Sequence, residues 1–113
     1  EGDLLVVGAI TEDSNATTIT NGSTASSDTS STNTGATYVF KRSGTSWSQV
    51  AYIKAVNPKP NMYFGNITAL DNSTIVVGSI YEGSNQQGIT NGTTASSDNS
   101  ESYSGAAWVY RFY

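Results

Sequence analysis

Three acidic residues and one asparagine, which follow two short apolar runs, are the side chains of this sequence best suited to chemistry. Glu12 and Asp13 follow the first run, and Glu82 and Asn85 follow the second. The oxygens of these side chains could ligate a divalent cation. Alternatively, two of the carboxylates could act as the catalytic pair of a glycoside hydrolase, in which they face each other about 5 to 10 Å apart in a cleft. Polar residues also end strands by hydrogen-bonding the backbone of the next turn. We favour this strand-ending role over metal binding or catalysis, because nothing in the sequence indicates a cleft.

The sequence contains no histidine and no cysteine. Histidine is the commonest general base and metal ligand, and cysteine supplies thiolate nucleophiles, disulfides and iron–sulfur ligands. Their absence removes most catalytic and metal-binding chemistry. We therefore expect a protein that is not an enzyme and has no cofactor.

Five Asn-x-Ser/Thr sequons could carry N-linked glycans in a secretory setting. The chain has 32 Ser and Thr residues and 10 Asn among its 113, so chance alone supplies several such triplets. The density of hydroxyl groups also admits O-glycosylation. The candidate N-glycosylation sites are Asn15, Asn21, Asn66, Asn72 and Asn91.

Aromatic residues at alternating strand positions have two interpretations. Rings such as Trp47, Tyr52, Tyr103 and Trp108 could stack on sugars, which would make the chain a carbohydrate-binding module. Rings with this spacing also fill the space between two packed sheets. We favour packing and keep the carbohydrate-binding, lectin-like module as an alternative function.

The charge balance argues against two classes of partner. Nine acidic and five basic residues give a formal net charge of −4, whereas nucleic acid and anionic membrane surfaces are bound through clustered basic side chains. No apolar run approaches the roughly 20 residues that a membrane-spanning helix needs. The chain starts with Glu1, as a processed or excised product would, and we expect an extracellular or cell-surface protein.

The acidic positions recur because the sequence repeats itself. A 70-residue offset aligns residues 1–43 with residues 71–113 without a gap, and 20 of the 43 pairs are identical. The segment 44–70 occurs once, so the second period lacks its counterpart of this segment. The chain is interpreted as one β-repeat domain, 1–113, with about 1.6 repeats (113/70).

Regular structure in both copies is predicted to be β. Short β-branched runs and alternating aromatic residues indicate strands, and the prolines in NPKPN at 57–61 indicate a turn. Strands that recur at a long period bury their faces only against neighbouring repeats. The prediction is an all-β fold of antiparallel, propeller-blade-like repeats without a helix. The six main strands are predicted at 4–9, 36–42, 47–55, 63–70, 74–80 and 106–112.

The most faithfully repeated part of the chain is polar. Residues 19–28 and 89–98 are the strings ITNGSTASSD and ITNGTTASSD, each inside a 24-residue connection rich in Ser, Thr and Asn. Asn-Gly favours a two-residue hairpin turn, so each connection is either a small projecting hairpin or an irregular but ordered loop. The candidate interaction residues at the tips are Asn21, Gly22, Asn91 and Gly92.

Three motifs in a fixed order resemble the FG-GAP repeat, which builds the β-propeller of integrin α chains. They are Tyr63-Phe64-Gly65, Ile75-Val76-Val77-Gly78-Ser79 and Gly105-Ala106-Ala107-Trp108-Val109-Tyr110, and the last two recur in the first copy. The wider pattern is similar to a long-period bacterial subgroup of surface proteins that carry such repeats in tandem. The resemblance implies that the fold depends on Gly8, Gly35, Phe64, Gly65, Gly78 and Gly105.

The resemblance does not extend to a calcium loop. Integrin-like repeats hold calcium between the Phe-Gly and Gly-Ala motifs, whereas NITALDNST here has Asp71 as its only carboxylate. Calcium seeks six to eight oxygen ligands, several of them usually carboxylates. We expect no cofactor, with calcium the one ion that the resemblance leaves open.

The incomplete second repeat predicts the function. Unpaired strand edges and half-covered apolar faces bind further strands and faces of the same kind. We expect a non-enzymatic structural or adhesive protein whose partners are other copies of itself or further repeats of the same chain, assembled head to tail into a ring or filament. The alternatives are the lectin-like module and a fragment of a longer FG-GAP adhesin, with a glycan or surface receptor as partner.

Overall fold

The computed structural model describes residues 2–113, in which there are seven strands and no helix. The strands are β1 (Leu4–Ala9), β2 (Thr20–Asn21), β3 (Ala36–Ser43), β4 (Ser46–Ile53), β5 (Ile67–Asp71), β6 (Thr74–Ser79) and β7 (Ala106–Arg111). The all-β prediction is confirmed, and each of the six predicted strands is present. The two-residue β2 was not predicted. Nothing in this part of the chain is a helix that could cross a membrane.

The strands form two antiparallel sheets. Sheet 1 has the strand order β1-β3-β4-β2, and sheet 2 has the order β5-β6-β7. The repeat is visible in the register, because Val6 pairs with Val39 in sheet 1 and their repeat equivalents, Val76 and Val109, pair in sheet 2. Sheet 1, as far as the structure describes the chain, therefore lacks a counterpart of β5, and sheet 2 lacks a counterpart of β4.

The strand predicted at 63–70 begins only at Ile67. Asn61 and Tyr63 have φ angles of 58° and 56°, left-handed values that an extended strand cannot contain. Phe64 instead forms a parallel bridge to Gly35. This bridge ties the segment to sheet 1 before the chain enters sheet 2.

The core lies between the inner faces of the two sheets. Val39 and Ile53 of sheet 1 and Ile75 and Val77 of sheet 2 belong to one apolar cluster and are at most 2% exposed. Burial of each such side chain stabilises the fold by about 1.5 to 3 kcal/mol. The other buried members of this cluster are Ala51, Ala55, Met62 and Phe64.

Phe64 occupies the centre of this core and is completely buried. Its ring meets the ring of Trp108 edge-on, with centroids 5.1 Å apart, and that of Tyr110 at 6.5 Å. Trp108 and Tyr110 therefore face inward from alternate positions of β7, and burial raises the pKa of Tyr110. Packing, not an open stacking surface, is the role of these two rings.

Two close backbone approaches join the first copy to the unrepeated segment 44–70. A Cβ atom at Gly8 would lie 2.1 Å from the carbonyl oxygen of Gly65, and one at Gly35 would lie 2.2 Å from that of Phe64. No side chain fits at these distances. Glycine is therefore required at both positions for the two sheets to approach as they do.

Candidate functional site

Glu12, the first carboxylate considered for chemistry, forms a buried ion pair. Its Oε2 accepts a hydrogen bond from Lys54 Nζ at 2.6 Å, and its Oε1 accepts one from the Tyr52 hydroxyl at 2.8 Å. Lys54 Nζ also donates to Thr34 Oγ1 at 3.0 Å and to the Gly35 carbonyl at 2.6 Å. The Lys54 side chain is 1% exposed; burial lowers the pKa of its ammonium group, and Glu12 opposes that shift.

Glu82, the repeat equivalent of Glu12, is held by a different lysine. Its Oε1 lies 3.2 Å from Lys59 Nζ, and its Oε2 accepts the N–H of Ser84 at 3.0 Å. Lys59 also donates to the carbonyl of Asp98 in the second connection. Both lysines come from the segment 44–70 that occurs once, so this segment secures the bases of both long connections.

These carboxylates act on the backbone and on lysines. Asp13 Oδ1 accepts the N–H of Asn33 at 2.7 Å, which is the strand-ending role that the sequence favoured. Within residues 2–113, no three His, Cys, Asp or Glu side chains are grouped to hold a metal ion. Sequence reasoning missed Lys54 and Lys59, and the signal available was two lysines in the one unrepeated segment.

The repeated strings form the same hydrogen-bonded loop base in both copies. Asp28 Oδ2 accepts the N–H of Asn15 at 2.7 Å and the hydroxyl of Ser30 at 2.8 Å. The equivalent bonds to Asp98 measure 2.9 and 2.8 Å. The backbone N–H first, and then the hydroxyl, lower the pKa of each carboxyl group. This shared geometry is a physical reason for the repetition of the Ser-Ser-Asp end of the string.

The Asn-Gly tips do not form hairpins. Gly22 and Gly92 have φ angles of 97° and 98°, but Asn21 and Asn91 lack the left-handed backbone that a type I′ turn also needs at its first position. In the first copy the tip adds β2 to the edge of β4, where the N–H of Gly22 donates to the carbonyl of Val50 at 2.7 Å. The second tip is irregular. Of the two alternatives, the ordered loop describes both connections, and all four tip residues are exposed.

The five candidate glycosylation sites lie at the surface. Asn21 belongs to β2, Asn66 precedes β5, and Asn72 is part of the turn between β5 and β6. All five asparagines are exposed: Asn15, Asn21, Asn66, Asn72 and Asn91. Exposure is a requirement for modification, and glycosylation itself stays a prediction.

The four candidate sugar-stacking rings are not brought together. Tyr52 is completely buried, which raises the pKa of its hydroxyl, and Trp108 packs in the core. Trp47 is 47% exposed near the β3–β4 turn, and Tyr103 is 72% exposed beside Tyr81. Only Trp47 and Tyr103 of these four present a ring to solvent.

Each sheet has an outer face that the other sheet does not cover. On sheet 1, Leu5 and Val7 are 45% and 41% exposed beside the half-buried Phe40. On sheet 2, Val109 is 69% exposed and pairs with Val76. Both outer faces are apolar, as is typical of surfaces that bind protein.

The repeat relates each outer face to a buried one. At the 70-residue offset, the inner face of sheet 1 corresponds to the outer face of sheet 2, as Val39 and Val109 illustrate. The outer face of sheet 1 corresponds to the inner face of sheet 2, as Val7 and Val77 illustrate. The other equivalent pairs are Leu5 with Ile75, Val6 with Val76, and Phe40 with Tyr110. The interface between the sheets thus joins two different surfaces, and the molecule exposes one further copy of each.

The glycines of the second copy lack the close backbone contacts that their equivalents make in the first copy. Gly78 and Gly105 are the equivalents of Gly8 and Gly35, but a Cβ atom at either would meet its nearest neighbour at 3.5 Å, an ordinary contact. The tight approaches in the first copy come from the Phe64-Gly65 segment, and the sequence contains no second Phe-Gly.

Two stacked antiparallel sheets, built from equivalent strands of one sequence repeat, define a β-repeat protein of the propeller-blade type. The FG-GAP repeat family matches residues 47–110, which is more than half of the chain and includes β5, β6 and all but the last residue of β7. The chain belongs to the FG-GAP repeat family, and the resemblance is confirmed. No curated protein and no solved structure matches the chain.

The family indicates the general class of function. An FG-GAP repeat is typical of adhesion-type β-repeat modules, which are generally non-enzymatic and typically occur in extracellular or cell-surface proteins. The long-period bacterial subgroup stays a prediction.

Proposed function

We propose that this chain is a non-enzymatic structural or adhesive module that acts outside the cell or at its surface and associates head to tail with copies of itself. The observation that carries the proposal is the repeat relation between buried and open faces. A second copy can place the outer face of its sheet 1 on the outer face of sheet 2 and bring together the repeat equivalents of the β1, β3, β6 and β7 residues that pack inside one molecule, although β4 and Phe64 have no equivalents in this contact. Because the two surfaces differ, the contact continues into a ring or a filament.

A second copy is the occupant that the chemistry of the faces favours. The exposed aliphatic side chains of Leu5, Val7 and Val109 carry no charge that would select a charged partner. Their repeat equivalents, Ile75, Val77 and Val39, pack against one another in the core. Surfaces of the same composition and register therefore already fit together within the chain.

The engagement of both glutamates supports the non-enzymatic part of the proposal. A carboxylate that acts as a general acid or base must reach a substrate. Glu12 and Glu82 are instead paired with Lys54 and Lys59. The ion pairs serve the attachment of the long connections.

The size of the faces sets the expected strength of association. Six-residue strands rise about 3.3 Å per residue and neighbouring strands lie about 4.8 Å apart, so a three-stranded face measures roughly 20 by 14 Å. Two such faces bury less than the roughly 1,200 Å² of a standard stable interface. We expect association in the high micromolar to millimolar range.

Light scattering over this concentration range tests the proposal. The mass should rise above the 11.9 kDa of the monomer as concentration increases. Val109→Glu on sheet 2 and Leu5→Glu on sheet 1 should each stop growth, because an unpaired carboxylate is costly to bury. Ile89→Glu changes an isoleucine that is 91% exposed in the second long connection, and this control should assemble normally.

Mixing the two blocked variants identifies the head-to-tail contact. Val109→Glu retains an intact outer face on sheet 1, and Leu5→Glu retains one on sheet 2. An equimolar mixture should therefore form a one-to-one dimer and nothing larger, while each variant alone stays monomeric, with circular dichroism confirming that both are folded. A wild-type chain that remains monomeric at millimolar concentration would rule out self-association and favour the alternative in which repeats of one longer chain cover these faces.

A further inference from the structure

A cleft of about 540 Å³ is lined by three tyrosines near the connection between the sheets. The ring centroids of Tyr63 and Tyr81 are 5.1 Å apart, and those of Tyr81 and Tyr103 are 5.0 Å apart, so the rings form one continuous wall. This volume lies within the range of about 300 to 1,000 Å³ that small-molecule sites occupy. The uncharged lining consists of Ile10, Asn61, Tyr63, Asn66, Tyr81 and Tyr103.

The backbone of the cleft adopts conformations that side chains usually avoid. Asn61, Tyr63 and Tyr103 have φ angles of 58°, 56° and 62°. They are three of the six non-glycine residues with left-handed backbone in residues 2–113, and a fourth, Asn33, contacts the cleft wall. Strained backbone concentrates at sites that hold ligands, because only the surrounding structure can maintain it.

Tyr103 occupies the repeat position of Asn33, where both residues have left-handed backbone. Asparagine tolerates this conformation, whereas a bulky aromatic residue rarely adopts it. The second copy thus keeps the backbone and replaces the tolerant side chain with a ring that is 72% exposed beside Tyr81. The left-handed backbone at this position does not require a ring, since Asn33 adopts it in the first copy.

Hydrogen bonds hold Asn61 and Tyr63 of the cleft lining in place. Asn33 Nδ2 donates to Asn61 Oδ1 at 3.1 Å and to the Tyr63 hydroxyl at 3.3 Å, while Asp13 holds the Asn33 backbone. Asn33 occupies Asn61 Oδ1, while Asn61 Nδ2 makes no hydrogen bond within the described part of the chain and can donate to a ligand. The side-chain amide of Asn66 forms no hydrogen bond within the described part of the chain, so it offers both a donor and an acceptor.

We propose that this tyrosine cleft binds a neutral oligosaccharide. The C–H faces of a pyranose pack on aromatic rings, and its hydroxyls both donate and accept, which matches the amides of Asn61 and Asn66. A proline-rich peptide also packs on aromatic grooves, but it presents mainly carbonyl acceptors and leaves the amide acceptor of Asn66 unmatched. None of the lining residues belongs to either outer face, so the site is independent of head-to-tail association.

Isothermal titration calorimetry tests the site on protein from a host that adds no N-glycans, since Asn66 lies in a sequon. The probes are neutral hexasaccharides of β-1,4-glucose, α-1,4-glucose, xylose, mannose and N-acetylglucosamine. At least one should bind, and Tyr103→Ala should weaken it about tenfold or more, because aromatic anchors carry much of the binding energy of a site. Tyr113→Ala removes a tyrosine that is 99% exposed outside the cleft, and it should bind as the wild type does.

Tyr103→Asn separates binding from folding. It restores the residue of the first copy, so the thermal midpoint should be unchanged or higher while binding is lost. Three results would overturn the proposal: no hexasaccharide binds, binding survives both Tyr103→Asn and Tyr81→Ala, or a polyproline peptide binds and the sugars do not.

Discussion

Replacing Glu12 by glutamine isolates the value of the buried ion pair. The substitution keeps the shape of the side chain and removes the charge that faces Lys54 Nζ at 2.6 Å. The ammonium group is left with neutral acceptors alone, namely Thr34 Oγ1, the Gly35 carbonyl and the new amide oxygen, on a side chain that is 1% exposed. An ammonium group in this position has lost both its water and its counter-charge.

The size of the effect follows from the two ways in which the chain can respond. Removing one partner of a buried pair costs about 3 to 5 kcal/mol. Lys54 can instead lose its proton, and at pH 7, against an ordinary pKa of 10.5, this costs at most about 4.8 kcal/mol (3.5 × 1.36). We therefore expect Glu12→Gln to lower the free energy of unfolding by about 3 to 5 kcal/mol, of the roughly 5 to 15 kcal/mol typical of a domain. The penalty should shrink as pH rises toward 10.5, because the unfolded state then gains less from binding the proton.

Urea unfolding, followed by tryptophan fluorescence to which Trp47 and Trp108 both contribute, measures this loss. Asp3→Asn is the matched control, because it makes the same change in the Asp3–Arg42 pair, whose side chains are 62% and 46% exposed. An exposed pair contributes about 0 to 1 kcal/mol. If Glu12→Gln costs no more than Asp3→Asn, burial does not decide the strength of these ion pairs and the reasoning is wrong.

Two further predictions concern backbone geometry and acid. Gly35→Ala should destabilise the fold by more than about 3 kcal/mol, because its Cβ atom would lie 2.2 Å from the Phe64 carbonyl oxygen. Gly22→Ala should cost about 1 to 2 kcal/mol, because Gly22 has a φ angle of 97° but open space around it. Equal losses of stability for the two variants in thermal unfolding would contradict this prediction. Acid should release the long connections. Folding lowers the pKa of the Asp28 carboxyl group, so this group stabilises the folded state at pH values above its ordinary pKa of 3.8. The stabilisation is lost as the pH falls through the lower pKa of the folded state. The protection factor of the backbone N–H of Asn15, which is bound to Asp28, should then fall below about pH 3.8 in hydrogen-exchange NMR. The contrary outcome is protection of Asn15 that stays constant down to pH 2.

Several elements of the fold could be predicted because their signals are local. The β-branched runs of β1 and β6 and the alternating rings of β7 mark strands wherever they fold. The left-handed Tyr63 has no local signal, since its sequence favours an extended strand, and the bridge from Phe64 to Gly35 joins segments far apart in the chain. The lysine partners of Glu12 and Glu82 are also distant in sequence, so the two ion pairs could not be read from spacing.

The tyrosine cleft was beyond prediction for the same reason. In the sequence, Tyr103 is grouped with three rings that lie elsewhere in the structure, and Tyr63 falls in a predicted strand. The cleft exists because the backbone turns at Tyr63 and Tyr103 and brings Tyr81 between them. The sequence does show that Tyr103 replaces Asn33 at one repeat position. This replacement indicates a special role only once the left-handed φ angle of both residues is known.

The sequence by itself determines the 70-residue period and the presence of the six main strands, because these depend on residues close together in the chain or on direct comparison of its two copies. Tertiary structure decides which sheet faces are buried and whether the repeated strings at 19–28 and 89–98 contain a strand. The same Thr-Asn pair is a strand at Thr20–Asn21, where the edge of β4 lies beside it, and is irregular at 90–91, where no such edge is described. A strand needs a partner for its backbone hydrogen bonds, and only the folded chain supplies one.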